Sequence, residues 1–141
     1  YGIRDEKIRV IYNSVDLKLG KKKKVGVKGK FILTIGRLVP WKNVDLIIRA
    51  FGMVRKYEKN AKLVIVGEGP LLKGLVDLVR SLRLENEVMF AGRKAHEEVV
   101  NYLRNASQFV LYSSYEGMSH VLLEAMACKT PTLRLGAWRP P

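Results

Sequence analysis

Short, continuously apolar runs alternate with segments of helical period along most of this chain. That alternation narrows its fold more than any other feature. FILTIGR (Phe31–Arg37), LVIVGEG (Leu63–Gly69), VMFAG (Val88–Gly92) and QFVLYSS (Gln108–Ser114) are too short for helices and close on turn residues. KIRVIYN (Lys7–Asn13) and TPTLRLG (Thr130–Gly136) read as further strands. Between them lie helical patterns. One sets Ile47, Ile48, Phe51 and Val54 on a single face. Another follows Pro70, a residue suited to a helix start, and repeats Leu72, Leu75, Val76 and Val79. HEEVVNYLRNA is a short amphipathic helix, and a last helix begins near Ser119 with Val121, Leu122, Ala125 and Met126 facing the core. Strands apolar on both faces belong to a parallel sheet covered on both sides. The expectation is an α/β domain: a doubly wound, Rossmann-like parallel sheet in three α/β/α layers.

The chain has 141 residues, which suits one domain, and 48% are hydrophobic, enough to bury a core. Lys and Arg number 26 against 13 Asp and Glu, for a net charge of +13. So large an excess implies an anionic partner: a phosphorylated small molecule, a membrane surface or nucleic acid. The basic residues do not cluster on one helix and no nucleic-acid recognition motif is present, which argues against the last. Lys21–Lys24 reads either as a solvated loop or as an anion patch. The single cysteine, Cys128, points to a reducing, cytoplasmic setting. No apolar run approaches the ~20 residues that span a bilayer.

In a doubly wound sheet, ligands bind beyond the carboxyl ends of the strands. The first core strand ends in Gly36-Arg37 and leads through Pro40-Trp41 to Lys42. Arg offers a fork of donors to phosphate and Lys a point charge, and Asn43 or Asp45 can cap the next helix. The second strand ends in Gly67-Glu68-Gly69-Pro70, where glycines permit either a tight turn or close approach of backbone to a ligand. It is not the dinucleotide fingerprint. The third ends in Gly92-Arg93-Lys94-Ala95-His96, with His96 placed to cap a helix. No second His or Cys stands at ligand spacing, so no metal site and no cofactor are expected. The fourth ends in Ser113-Ser114-Tyr115-Glu116-Gly117-Met118-Ser119. A helix N-terminus there, reached through Gly117, is a ready anion site, and Glu124 on the helix flank can accept from vicinal hydroxyls. Taken singly, Glu116 is an ordinary turn acid and Glu124 an ordinary helix acid.

GRLVPWKN, VIVGEGP, FAGRKAHEEV and YEGMSHVLLEAMAC, in this order and spacing, resemble the group 1 (family 4) retaining glycosyltransferases. The resemblance runs from about Ile8, in IYNSVD, to about Pro131 and covers the C-terminal, donor-binding domain of a GT-B enzyme. It implies that Arg37 and Lys42 hold the diphosphate of a nucleoside-diphosphate sugar. Glu116 then lies near the transferred sugar, with a catalytic role in orientation and charge stabilisation. The backbone of Gly117, Met118 and Ser119 meets sugar hydroxyls or phosphate, Glu124 holds the ribose, and the backbone around Arg93 and Lys94 faces the base. Gly36, Gly67 and Gly69 complete the donor set.

The resemblance also implies an N-terminal acceptor domain as partner and final C-terminal helices, neither in this sequence. The 141 residues alone are therefore expected to transfer no sugar. An anionic membrane face is a further expected partner, with a lipid or glycan as acceptor. Two departures stand out. Lys129 occupies a position where the family usually has Gly, which predicts a strained or different turn. After Pro131 the segment TLRLGAWRPP leaves the family pattern, which predicts either truncation or a frameshift.

Overall fold

The computed structural model describes residues 9, 13–15, 22–115 and 119–136. The strand expected over Lys7–Asn13, the residues Glu116, Gly117 and Met118, and the tail past Gly136 lie outside the described residues. Among the described residues, five strands form one parallel sheet: β1 (Phe31–Ile35), β2 (Lys62–Val66), β3 (Val88–Gly92), β4 (Gln108–Tyr112) and β5 (Thr132–Leu135). Their order across the sheet is β3-β2-β1-β4-β5. Four helices connect them: α1 (Val44–Val54), α2 (Leu72–Ser81), α3 (His96–Asn105) and α4 (His120–Ala127). A short 3-10 turn, Pro40–Lys42, precedes α1.

The strand period of two sorts the core into two layers. Leu63 and Ile65 of β2 face α1 and α2, where Ile47, Ile48, Phe51, Leu75 and Val79 are buried. Val64 and Val66 face the other way, against Tyr102 and Leu103 of α3 and Ala125 of α4. These buried chains supply most of the driving force, at roughly 1.5–3 kcal/mol for each large one. The doubly wound, three-layer expectation holds.

Several local expectations need correction. On α1 the buried face is Val44, Ile47, Ile48 and Phe51, and Val54 at the last turn is exposed. The α2 helix begins at Leu72, two residues beyond Pro70, and Leu72 itself is exposed. On α4, Met126 points to solvent at 61% exposure. The stripe that meets the core is Val121, Leu122, Ala125 and Cys128. Met126 lies about 100° around the helix from Ala125, the buried centre of that stripe, given 3.6 residues per turn.

The lysine run is not simply a solvated loop. Lys23 Nζ meets Glu97 Oε1 at 2.6 Å, its N–H donates to Asn101 Oδ1, and its carbonyl accepts from Asn105 Nδ2. The segment lies as a strap on α3, with Val25 and Val27 against the core beneath. Hydrogen bonding and charge from the partner raise the pKa of Lys23 and lower that of Glu97.

Lys129 closes α4 with φ +58° in the left-handed region. Its N–H donates to the Met126 carbonyl and the Thr130 N–H to the Ala125 carbonyl, the paired bonds of a Schellman motif. The turn therefore takes the shape glycine favours, carried by a lysine. Arg83 repeats the device after α2, at φ +56°.

Candidate functional site

The sheet order reverses direction between β1 and β4, and these neighbours carry the loops in which the sequence places its basic pair and its acids. All strands being parallel, every carboxyl end opens on one edge. Beyond β1, β2 and β3 that edge holds an open cleft of about 630 Å³. Gly36, Arg37, Gly67, Gly69, Arg93 and Lys94 line it together with Glu68 and the apolar Ile35, Val66 and Val99. Six of the expected donor residues thus share one cavity.

The floor of the cleft is backbone on backbone. Beyond the strands, Gly36 N–H donates to the Val66 carbonyl, Leu38 N–H to that of Glu68, and Gly67 N–H to that of Gly92. A Cβ on Gly67 would stand 1.9 Å from the Gly36 carbonyl oxygen, and one on Gly69 would stand 2.4 Å from that of Leu38. Gly67 also has φ +139°. The glycines that the sequence leaves open to turn or ligand let two loops of the same chain touch.

Lys42 is not among the residues lining the cleft but approaches Gly36 at its floor. Its Cδ and Cε lie 3.8 and 3.9 Å from where a Cβ on Gly36 would be, so its stem runs back across the end of β1. Arg37 is exposed at the rim. The loop that carries Lys42 is tied to the end of β4: Ser114 N–H (2.8 Å) and Ser113 Oγ (3.1 Å) both donate to the Trp41 carbonyl. Asn43 Nδ2 donates to Ser114 Oγ at 2.7 Å. Asn43 is the N-cap of α1, but its side chain serves this latch and makes no cap bond. Its left-handed backbone, φ +44°, is one that Asn tolerates better than most residues. The basic loop is therefore held against the segment that leads into Glu116, itself outside the described residues.

Glu124 lies on the flank of α4 with its side chain 18% exposed, and Ser119, the N-cap of α4, is buried. Glu124 Oε1 is 3.5 Å from His96 Nδ1. His96 does not cap α3. It is the first helical residue, and the N–H of the preceding Ala95 is satisfied by Glu98 Oε2 at 3.1 Å. Lys94 pairs with Glu98 at 3.6 Å, and Arg93 N–H leans on Glu68 Oε1 at 3.4 Å. Glu68, the Trp41–Ser114 latch and the His96–Glu124 pair were not among the expected site features. The first could have been noticed as an acid between two strand-end glycines. The others join residues 73 and 28 positions apart, and nothing local signals them. Burial raises the Cys128 thiol, Arg104 opposes that and Glu124 adds to it. Among the described residues no three His, Cys, Asp or Glu side chains converge as a metal site would need.

The sequence matches the family "Glycosyl transferases group 1" over residues 17–134. It is 37% identical over 131 residues to the N-acetylgalactosamine-N,N'-diacetylbacillosaminyl-diphospho-undecaprenol 4-alpha-N-acetylgalactosaminyltransferase of Campylobacter jejuni, covering 91% of this chain and 34% of that protein. The fold superposes on Anabaena HepE in complex with UDP-glucose, with a TM-score of 0.78, 25% identity and 94% of this chain covered against 40% of that one. It also superposes on the C-terminal domain of LpcC from Francisella tularensis, a glycosyl transferase group 1 protein, with a TM-score of 0.74, 25% identity and coverage of 86% and 70%. The chain thus spans about a third of the Campylobacter enzyme. It belongs to the group 1 glycosyltransferase family and has the Rossmann-like architecture of the C-terminal domain of a GT-B glycosyltransferase.

Proposed function

We propose that this chain is the donor-binding half of a retaining glycosyltransferase, taking its sugar from a nucleoside diphosphate and passing it to a glycan or lipid acceptor. One observation carries this reading. At the reversal of strand order, the loop bearing Arg37 and Lys42 is hydrogen-bonded to the end of β4, which leads to Glu116. Cations and acids thus stand on neighbouring strand ends. Arg37 and Lys42 stabilise the charge that builds on the departing diphosphate, the step at which fixed positive groups act most strongly. The base enters the cleft toward Arg93 and Lys94, between the glycine floor and Val99. Glu124 accepts from the ribose hydroxyls, and Glu116 with the backbone of Gly117, Met118 and Ser119 orients the sugar. Nothing in this scheme calls for a metal or a cofactor.

Support for the donor class comes from HepE, whose structure is a complex with UDP-glucose. Support for a lipid-linked acceptor comes from the name of the Campylobacter relative, which includes diphospho-undecaprenol. With such an acceptor, the basic surface would favour an anionic membrane face on the cytoplasmic side. No helix among the described residues is long and apolar enough to cross a membrane. The N-terminal domain that would bring the acceptor is the expected partner, and the 141 residues alone should transfer no sugar.

The test is a thermal-shift panel of uridine, guanosine and adenosine diphosphates and their sugars. One diphosphate should stabilise the chain more than the others, and Arg37→Ala and Glu124→Ala should each remove that preference. Silence across the panel would overturn the reading, and measurable transfer by this chain alone would overturn its final clause.

A further inference from the structure

We propose that His96 is a positioning residue for Glu124: its imidazole holds one carboxylate oxygen so that the other is presented to the ribose. The inference deepens the donor reading and rests on it. The α3 and α4 helices lie side by side on one face of the sheet, with their N-termini at the site edge. At the lower end of the seam Thr130 Oγ donates to the Leu103 carbonyl at 2.7 Å, which sets the register of the two elements. At the upper end that register brings His96 Nδ1 to 3.5 Å from Glu124 Oε1.

The pairing is selective. Glu97 is held by Lys23 at 2.6 Å, and Glu98 by the Ala95 N–H and Lys94. The acids next to His96 are thus engaged elsewhere, while the imidazole turns to an acid on the neighbouring helix. Arg104 and Cys128 are further ionisable groups of this seam among the described residues. A carboxylate only 18% exposed needs a donor on one oxygen to keep its plane fixed. His96 is 75% exposed, so its cost of desolvation is small. A separation of 3.5 Å is long for a hydrogen bond, and site contacts of this kind often tighten when ligand arrives.

The experiment uses the 141-residue chain and calorimetric titration. Uridine, guanosine and adenosine diphosphates are each titrated, and the tightest is carried forward with its 2′,3′-dideoxy form and inorganic pyrophosphate. His96→Ala should weaken the diphosphate about fivefold, the worth of one ordinary hydrogen bond. It should leave the dideoxy form and pyrophosphate unchanged, since neither offers ribose hydroxyls. His96→Asn keeps a donor near the Nδ1 position and should restore most of the affinity. In Glu124→Ala, the further change His96→Ala should add nothing. If Glu124→Ala weakens binding and His96→Ala does not, this inference fails while the donor reading stands. An equal loss on pyrophosphate would make His96 merely structural and overturn it. If the unchanged chain binds no diphosphate, the donor reading fails and this inference with it.

Discussion

Lys129 occupies a backbone position at which a Cβ costs energy. A non-glycine residue in the left-handed region is strained by roughly 1–2 kcal/mol, while glycine loses more entropy on folding, by roughly 0.5–1 kcal/mol. The Schellman bonds from Lys129 and Thr130 hold the turn regardless. The difference should make Lys129→Gly more stable by up to ~1 kcal/mol in urea unfolding. A loss would mean that lysine's attraction to the helix C-terminus outweighs the strain. Gly67 is the opposite case. Its missing Cβ leaves room for the Gly36 carbonyl, and φ is +139°. Gly67→Ala should cost about 3 kcal/mol or more and push the β1 and β2 loops apart. Gly74→Ala is the control: nothing lies within 4 Å and the residue is helical, so it should stabilise by about 0.5–1 kcal/mol.

At the level of elements, the strands were the legible part. FILTI, KLVIV and QFVLY read as strands because both faces are buried, leaving an apolar run, and VMFAG at the sheet edge keeps such a run with Met89 exposed. Parallel order then places all their carboxyl ends on one edge, which is why Gly36, Arg37, Gly67, Gly69, Arg93 and Lys94 could be read from sequence and are found lining one cleft. The illegible part has a common cause. A glycine pattern reports that space is needed, not what fills it, and here the neighbouring loop fills it. A histidine before two glutamates suggests a cap until a helix from elsewhere offers Glu124. Four apolar letters on α4 do not say where the centre of its stripe falls, hence Met126. The strap of residues 22–24 was equally hidden, since its anchors are polar side chains of α3 far along the chain. Those anchors make a prediction. Asn101→Ala removes the acceptor of the Lys23 N–H, so that amide should exchange with solvent much faster while the amides of β1 and β2 stay protected. Unchanged exchange would show that Val25 and Val27 alone seat the strap. Acid should act in the same direction. With its pKa lowered in the folded state, Glu97 contributes to docking above the ordinary carboxylate range, and that contribution is lost as pH falls through the depressed value. Glu97→Gln should flatten this part of the acid response.

The whole molecule carries +13 on 141 residues, and this charge bears on any test of its ligands. Like charges over so small a body repel one another and oppose the compact state. Salt screens that repulsion, since the Debye length falls from about 30 Å at 0.01 M to about 10 Å at 0.1 M. The melting temperature should therefore rise with sodium chloride over this range before any ligand is added. A fall would show that attractive pairs such as Lys23–Glu97 and Arg55–Glu87 outweigh the general repulsion. Any polyanion will screen as salt does, and by the same argument tripolyphosphate should stabilise the chain without recognising anything. Site binding differs in size and in what abolishes it. At a hundredfold excess over Kd, a ligand adds about 2.7 kcal/mol. For a domain of this length that is about 9 °C in Tm, taking an unfolding entropy of about 2.1 cal/mol/K per residue. The decisive comparison is a nucleoside diphosphate against tripolyphosphate at equal ionic strength, in the unchanged chain and in Glu124→Ala. Screening depends on total charge and should survive the substitution, even strengthen slightly as one acid is lost. Recognition of the ribose depends on one carboxylate and should vanish with it. If the two anions stabilise equally in both proteins, the basic excess alone explains the response and the cleft has no claim to it.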